Sequence, residues 1–187
     1  MLSTLSSIYD PIGILSPFLL EGKHILQNLS KYGWDSTLQD DIIAKWESWK
    51  ISLTFIESLS LPRRFNRGNR SIKEASVHHF SDASDVGYGH CSYLRIVDES
   101  DEVFCSFLYG RSRVAPLKKV STPRLELQAA TLSSNMNSFS IKELDLKIDQ
   151  QYFYVDSTIV LGYIKNECKR FKLFITNRVS MITSHTK

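Results

Sequence analysis

The sequence has 187 residues, of which 42% are hydrophobic, and a formal net charge of +3 at pH 7. This length and composition support a packed core and exclude a disordered chain. No apolar run approaches the ~20 residues of a membrane span. The apolar start lacks a basic leader and is interrupted by Asp10, Pro11 and Pro17, so we predict no signal peptide and no membrane partner.

The charges and the cysteines each suggest an expectation for the whole chain. Residues 1–60 carry 4 basic and 7 acidic side chains, whereas residues 61–187 carry 19 and 13, which favours a polyanionic partner for the second part. The cysteines are odd in number and lack the spacing of a metal site: Cys91, Cys105 and Cys168. They indicate reduced thiols and an intracellular protein.

Residues 1–60 have the hydrophobic periodicity of a helical segment. The spacing predicts one helix over about Pro17–Gly33 and a second over about Thr37–Ser58. Trp46 and Trp49 fall on the apolar stripe of the second helix, where we expect them to pack in a core. The segment therefore forms the first predicted domain.

A basic linker and a strand-rich domain are predicted to follow. Residues 61–74 contain a proline, a glycine and five basic residues, which is typical of a connection. Residues 75–187 form the second domain, although the first strand is predicted to begin near the end of the linker. The opening strands are predicted to be antiparallel neighbours: Glu74–Ser81, Gly87–Val97 and Val103–Gly110.

The stretch "VSTPRLELQAATLSSNMNSF" predicts a helix that crosses over to a fourth strand, "QQYFYVD". Thr122 is the expected N-cap and Pro123 the first helical residue. The apolar stripe of this helix is predicted to contain Leu125, Ala129, Leu132, Met136 and Phe139. Two more helices are expected after the fourth strand. Because a crossover requires a parallel pairing, we predict an α+β or α/β domain in which helices cover a mixed sheet.

Two predicted strands end on a carboxylate, at Asp82 and at Asp156. The ends of adjacent parallel strands lie about 5 Å apart, and the crossover helix can present Glu126, in its expected first turn, to the same point. Three carboxylates repel one another unless a hard cation such as Mg²⁺ binds them. Other roles stay open for each: Asp156 as an N-cap, Asp82 as a turn residue and Glu126 as a partner of the helix dipole.

Four motifs in order resemble the Pao (BEL) family of LTR retrotransposon polyproteins. They are "LSTLSSIYDPIGILSPFLLEGK", "FSDASDVGYG", "SRVAPLKKVSTPRLELQAA" and "YVDSTIVLGYI", and the similarity runs from Leu2 to about Lys187. The resemblance implies the end of a reverse transcriptase thumb or connection in residues 1–60, followed by a ribonuclease H-like domain. It also implies that three residues match the first acids of the ribonuclease H site: Asp82, Glu126 and Asp156.

The implied activity is metal-dependent hydrolysis of the RNA strand of an RNA–DNA hybrid. The expected cofactors are two Mg²⁺ or Mn²⁺ ions, which at about 3.5–4 Å separation activate a water and stabilise the leaving oxygen. The expected partners are the hybrid and the rest of the pol polyprotein, in the cytoplasm, the nucleus or a virus-like particle. The ribonuclease H pattern also needs a fifth strand and a fourth acid, and Glu167 is badly placed for that role. We therefore expect a truncated domain with impaired activity.

Two other functions remain open from the sequence. The basic side chains between Gly110 and Leu125 have no acid among them and are candidates for holding phosphates: Arg111, Arg113, Lys118, Lys119 and Arg124. A non-catalytic nucleic-acid-binding remnant is therefore one alternative. The other is an aspartic peptidase, because this family region also carries the name Pao retrotransposon peptidase. The sequence lacks the glycine of the usual Asp-Thr/Ser-Gly loops at both Asp82 and Asp156.

Overall fold

The computed structural model describes residues 1–33, 36–62, 65, 71–166 and 170–186. The chain divides into two compact units, Met1–Arg63 and Arg64–Lys187. Half of the predicted basic linker, together with Cys168 and Glu167, lies outside the described residues. No helix among the described residues is long and apolar enough to cross a membrane.

The first unit is helical, as its periodicity predicts. Its elements are α1 (Leu2–Ser6), α2 (Ser16–Leu29), α3 (Asp40–Leu53) and a 3-10 turn over Thr54–Ser58. Helix α2 therefore ends before Gly33, and α3 begins after Thr37. Pro17 lies in the first turn of α2, where its missing N–H costs nothing.

Two tryptophans form the core of the first unit, which confirms their predicted packing. Trp46 and Trp49 are buried, and their ring centroids are 4.5 Å apart. The Trp49 indole donates a 2.8 Å hydrogen bond to the Phe18 carbonyl, which ties α3 to α2. Gly22 allows this close approach, because a Cβ there would lie 2.6 Å from the Trp49 ring.

The second unit contains a four-stranded mixed sheet. Its strands are β1 (Ile72–Ala83), β2 (Gly87–Asp98), β3 (Val103–Val114) and β4 (Gln150–Val155), in the order β3-β2-β1-β4. The first three strands pair as antiparallel neighbours, whereas β1 and β4 are parallel. The predicted mixed sheet with a crossover helix is thus confirmed.

Three helices accompany this sheet: α4 (Thr122–Glu143), α5 (Thr158–Lys165) and α6 (Leu173–Thr186). Helix α4 packs on β1 and β2, and α6 packs on α4. Helix α6 and Phe171, which precedes it, join the core around Leu127 and Val160; the helix contributes Phe174, Ile175, Val179 and Ile182. Ser121 precedes α4 as the N-cap residue, so the prediction that Thr122 holds this position is wrong by one residue.

The buried face of α4 is more polar than its predicted stripe. Phe139 is exposed, while five polar side chains of the helix are buried: Thr131, Ser133, Ser134, Asn137 and Ser140. Asn137 pairs with the buried His79 of β1 at 2.8 Å. The polar row therefore faces the sheet, where the facing strand side chains are polar too. Of the predicted apolar stripe, Leu125 and Ala129 are buried, Leu132 and Met136 are half-buried, and the prediction is wrong for Phe139.

The other face of the sheet carries a ladder of partly exposed rings. His78 stacks between Tyr152 and Tyr154, and Tyr154 also stacks on Phe80 at a centroid distance of 4.7 Å. Strand alternation assigns even-numbered β1 residues to this open face and odd-numbered ones to the α4 face. His78 and His79 therefore face opposite sides of the sheet.

Candidate functional site

The parallel pairing of β1 and β4 brings Asp82 and Asp156 to the same end of the sheet. Ser81 and Val155 form the last register pair of these strands, so each aspartate follows directly after that pair. Both side chains are exposed. Two carboxylates 74 positions apart in the sequence are thereby placed on neighbouring strand ends, as the sequence predicts.

Glu126 lies on α4 near the same strand ends. Its neighbour Leu125 belongs to the core cluster that includes Ala83, and its other neighbour Leu127 belongs to the cluster that includes Val155. The early part of α4 thus packs toward the ends of both strands. Glu126 is the fifth residue of the helix, and the first turn contains no acid. The expectation that Glu126 lies in the first turn is therefore wrong.

The described side chains do not gather into a metal centre. Within the described part of the chain, no group of three or more His, Cys, Asp or Glu side chains is arranged to hold an ion. Alternation along β1 directs Asp82 to the open face, whereas Glu126 is carried by the helix on the other face. The Asp82 carboxylate accepts a 2.6 Å hydrogen bond from the Ala83 N–H. Convergence of the three carboxylates stays a prediction.

The structure removes two of the structural roles left open for the aspartates. Ser157, not Asp156, caps α5, since its hydroxyl accepts the Val160 N–H at 3.3 Å. The β1–β2 turn is closed by the Ser84 N–H, which donates to the Gly87 carbonyl at 2.8 Å. Asp82 lies before that turn, within β1. Neither aspartate is therefore needed for a cap or for the turn.

Gly89 lies directly beside Asp82 in the antiparallel pairing of β1 with β2. A Cβ built at this position would lie 2.8 Å from the Arg111 carbonyl oxygen of β3. This contact with β3 indicates that Gly89 is needed for tight packing of the sheet. The glycine therefore allows β2 and β3 to approach closely next to the candidate site.

The predicted basic residues lie along the connection from β3 to α4. Arg111 and Arg113 are exposed on β3, Lys118 and Lys119 are exposed in the loop, and Arg124 is half-buried in the first turn of α4. Among the described residues, none of the five pairs with a carboxylate. A shallow cavity of about 210 Å³ opens beside Lys119, between Asp85 and Leu125. The loop thus presents a group of positive side chains.

Two buried histidines lie under α4, and sequence reasoning missed their role. His79 Nδ1 is 2.7 Å from the Ser92 hydroxyl, and Nε2 is 2.8 Å from Asn137 Oδ1. Because that amide oxygen can only accept, Nε2 carries the proton and the ring is satisfied as a neutral tautomer. Burial lowers the pKa of His79 to about 4. The alternation of residues along a strand is the only sequence signal that could have indicated a buried side chain at this position.

His90 shares the same interior layer without comparable partners. It is buried, and neither ring nitrogen has a hydrogen-bond partner within the described residues. Burial, followed by the nearby His79 and Arg111, lowers its pKa to about 4. The ring therefore remains neutral near pH 7 and packs edge-on against Tyr109.

The sheet order, the crossover helix and the paired strand-end aspartates define an α+β domain of the ribonuclease H-like class. A family model described as "Pao retrotransposon-like RNaseH-like domain" matches residues 1–157, which is most of the chain. The chain belongs to this family. No curated protein matches it.

Proposed function

We propose that this chain is the ribonuclease H-like part of a Pao (BEL) pol polyprotein and hydrolyses the RNA strand of RNA–DNA hybrids. Asp82, Glu126 and Asp156 would hold two Mg²⁺ or Mn²⁺ ions. The observation that carries this proposal is the β1–β4 register, which brings Asp82 and Asp156 to neighbouring strand ends. Membership of the ribonuclease H-like family supports the same chemistry.

The three proposed ligands have the chemistry that the proposed ions require. Carboxylate oxygens are the ligands that Mg²⁺ prefers, and exposed aspartates leave room for water and phosphate oxygens. Because the three side chains do not form a metal-holding group as they stand, they must turn toward a common point. Asp82 must then exchange its Ala83 contact for the ion. When bound, the ions supply an activated water and stabilise the leaving oxygen.

The chain's own residues also account for substrate placement. The exposed side chains of Lys118 and Lys119 precede α4, and Arg124 lies in its first turn. Lysine and arginine contacts to phosphates position a nucleic acid without reading its sequence. The basic loop therefore aligns the hybrid backbone relative to the strand ends of β1 and β4.

The test is cleavage of an RNA–DNA hybrid by the full chain with Mg²⁺ or Mn²⁺. We expect Asp156→Asn to reduce cleavage by at least about 10- to 100-fold, since a metal contact is lost. The matched control is Asp145→Asn, which changes an exposed aspartate in the α4–β4 connection. Equal cleavage by the two variants would overturn the assignment of Asp156.

A second candidate function is nucleic-acid binding without hydrolysis. It is favoured by the absence, among the described residues, of a group that could hold a metal ion. Hybrid binding in EDTA combined with no cleavage in Mg²⁺ or Mn²⁺ would select it. The aspartic peptidase is not proposed, because the matched family is described as RNaseH-like and neither aspartate is followed by the expected glycine loop.

A further inference from the structure

Two arginines from different helices meet at one aromatic ring beside the basic loop. The Arg178 guanidinium carbon of α6 lies 3.5 Å from the centroid of the Phe174 ring. The Arg124 guanidinium carbon of α4 lies 5.3 Å from the same centroid. Phe174 thus brings two positive charges together between the start of α4 and α6.

No carboxylate among the described residues pairs with these two charges, those of Arg124 and Arg178. Both side chains are half-buried, and burial lowers the pKa of Arg178. One Arg178 nitrogen donates to the Phe174 carbonyl at 3.1 Å, which leaves its other donors for a ligand. Two like charges in partial burial favour a bound anion.

The geometry points to a backbone phosphate of the hybrid as that anion, and we propose that Arg178 binds it together with Arg124. The planar guanidinium fork matches phosphate oxygens, and stacking on a ring restricts its orientation. Arg124 continues the run of basic residues from Lys118 and Lys119, so α6 extends the same backbone contact. This inference rests on the proposed nucleic-acid substrate. Helix α6 lies beyond residues 1–157, so the family match does not assign Arg178 a role.

A purely structural role makes a different prediction. If Arg178 only holds α6 through Phe174, its loss lowers stability but leaves the number of phosphate contacts unchanged. The salt dependence of hybrid binding separates these roles, because each phosphate contact contributes about 0.9 to the slope of log K against log salt for duplex DNA. Protein stability does not set that slope.

The experiment measures binding of an uncleaved RNA–DNA hybrid in EDTA over a series of salt concentrations, with the full chain. We expect Arg178→Gln to weaken binding and to reduce the slope by about 1. The matched control is Arg95→Gln, which also removes one arginine charge, on the open sheet face beside Glu74. An unchanged slope for R178Q, or an equal reduction for R95Q, would overturn the inference.

A conservative variant covers the case in which R178Q loses its helical circular dichroism. Arg178→Lys keeps the charge but loses the planar fork, so we expect an unchanged slope with weaker binding. Unchanged affinity for R178K would count against the inference. Cleavage is scored separately with Asp156→Asn. Cleavage with an unchanged R178Q slope rejects only this inference, and a reduced slope without cleavage rejects only the hydrolytic function.

Discussion

At the scale of single residues, burial sets the protonation of His79 and His90 and links it to stability. Both rings lie under α4, and burial lowers both pKa values to about 4 from an ordinary value of 6.5. Above pH 6.5 each ring is neutral in both the folded and the unfolded chain, so its contribution to stability is fully present. That contribution is lost as the pH falls from 6.5 toward 4, because the unfolded chain then binds a proton that the folded chain does not.

We therefore expect the free energy of unfolding to fall between pH 6.5 and pH 4. The shift at His90 alone corresponds to roughly 3 kcal/mol. His90→Leu should flatten this dependence, because it removes two buried nitrogens that have no hydrogen-bond partner among the described residues. Denaturant titrations followed by far-UV circular dichroism at several pH values measure the effect. An H90L curve as steep as that of the original chain would contradict the prediction.

Substitution by alanine is expected to have opposite effects on stability at two glycines of the second unit. Gly89→Ala places a Cβ 2.8 Å from the Arg111 carbonyl, whereas a Cβ at Gly162 meets nothing within 4 Å. We expect G89A to destabilise by about 1–3 kcal/mol through overpacking. G162A, within helix α5, should stabilise by about 0.5–1 kcal/mol. The midpoints of thermal unfolding of the two variants measure these effects. A destabilised G162A together with a neutral G89A would contradict both predictions.

At the scale of elements, the start of α5 separates a structural residue from a functional one. The Ser157 hydroxyl accepts the Val160 N–H, so Ser157→Ala should cost about 1 kcal/mol of stability. Asp156→Asn removes no cap and should leave the thermal midpoint nearly unchanged while it reduces hybrid cleavage. A larger loss of stability in D156N than in S157A would show that Asp156, and not Ser157, caps α5.

Helix α4 shows where prediction from the sequence ends. Its existence and its crossover role follow from local pattern and chain connectivity, and the structure confirms them, whereas Pro123 is the second helical residue and not the first as predicted. Its buried row of Ser133, Asn137 and Ser140 does not follow from hydrophobic periodicity. That row depends on which side chains the sheet offers in return, and the His79–Asn137 contact joins residues 58 positions apart. Local rules carry no information about such a partner.

At the scale of the whole molecule, connectivity explains most of what the sequence predicts. Three short-range hairpin strands and one crossover leave few possible sheet orders, and the structure selects the one in which β1 and β4 are adjacent. The end of the sheet that carries Asp82 and Asp156 follows from that adjacency. The direction in which each carboxylate turns does not, because it depends on side-chain torsions and on any bound ion.

The parallel pairing of β1 with β4 also has a consequence for the time at which the site can form. Strand β2 pairs with β1 and with β3 over short sequence separations, whereas the site also needs Asp156, which is 74 positions beyond Asp82 in the chain. Contacts of this separation form late, because loop closure must precede them. At translation rates of about 5–20 residues per second, the ribosome needs roughly 4–15 s to reach the second aspartate. The nascent chain therefore contains the first three strands and Asp82 before the pair of strand-end aspartates can form.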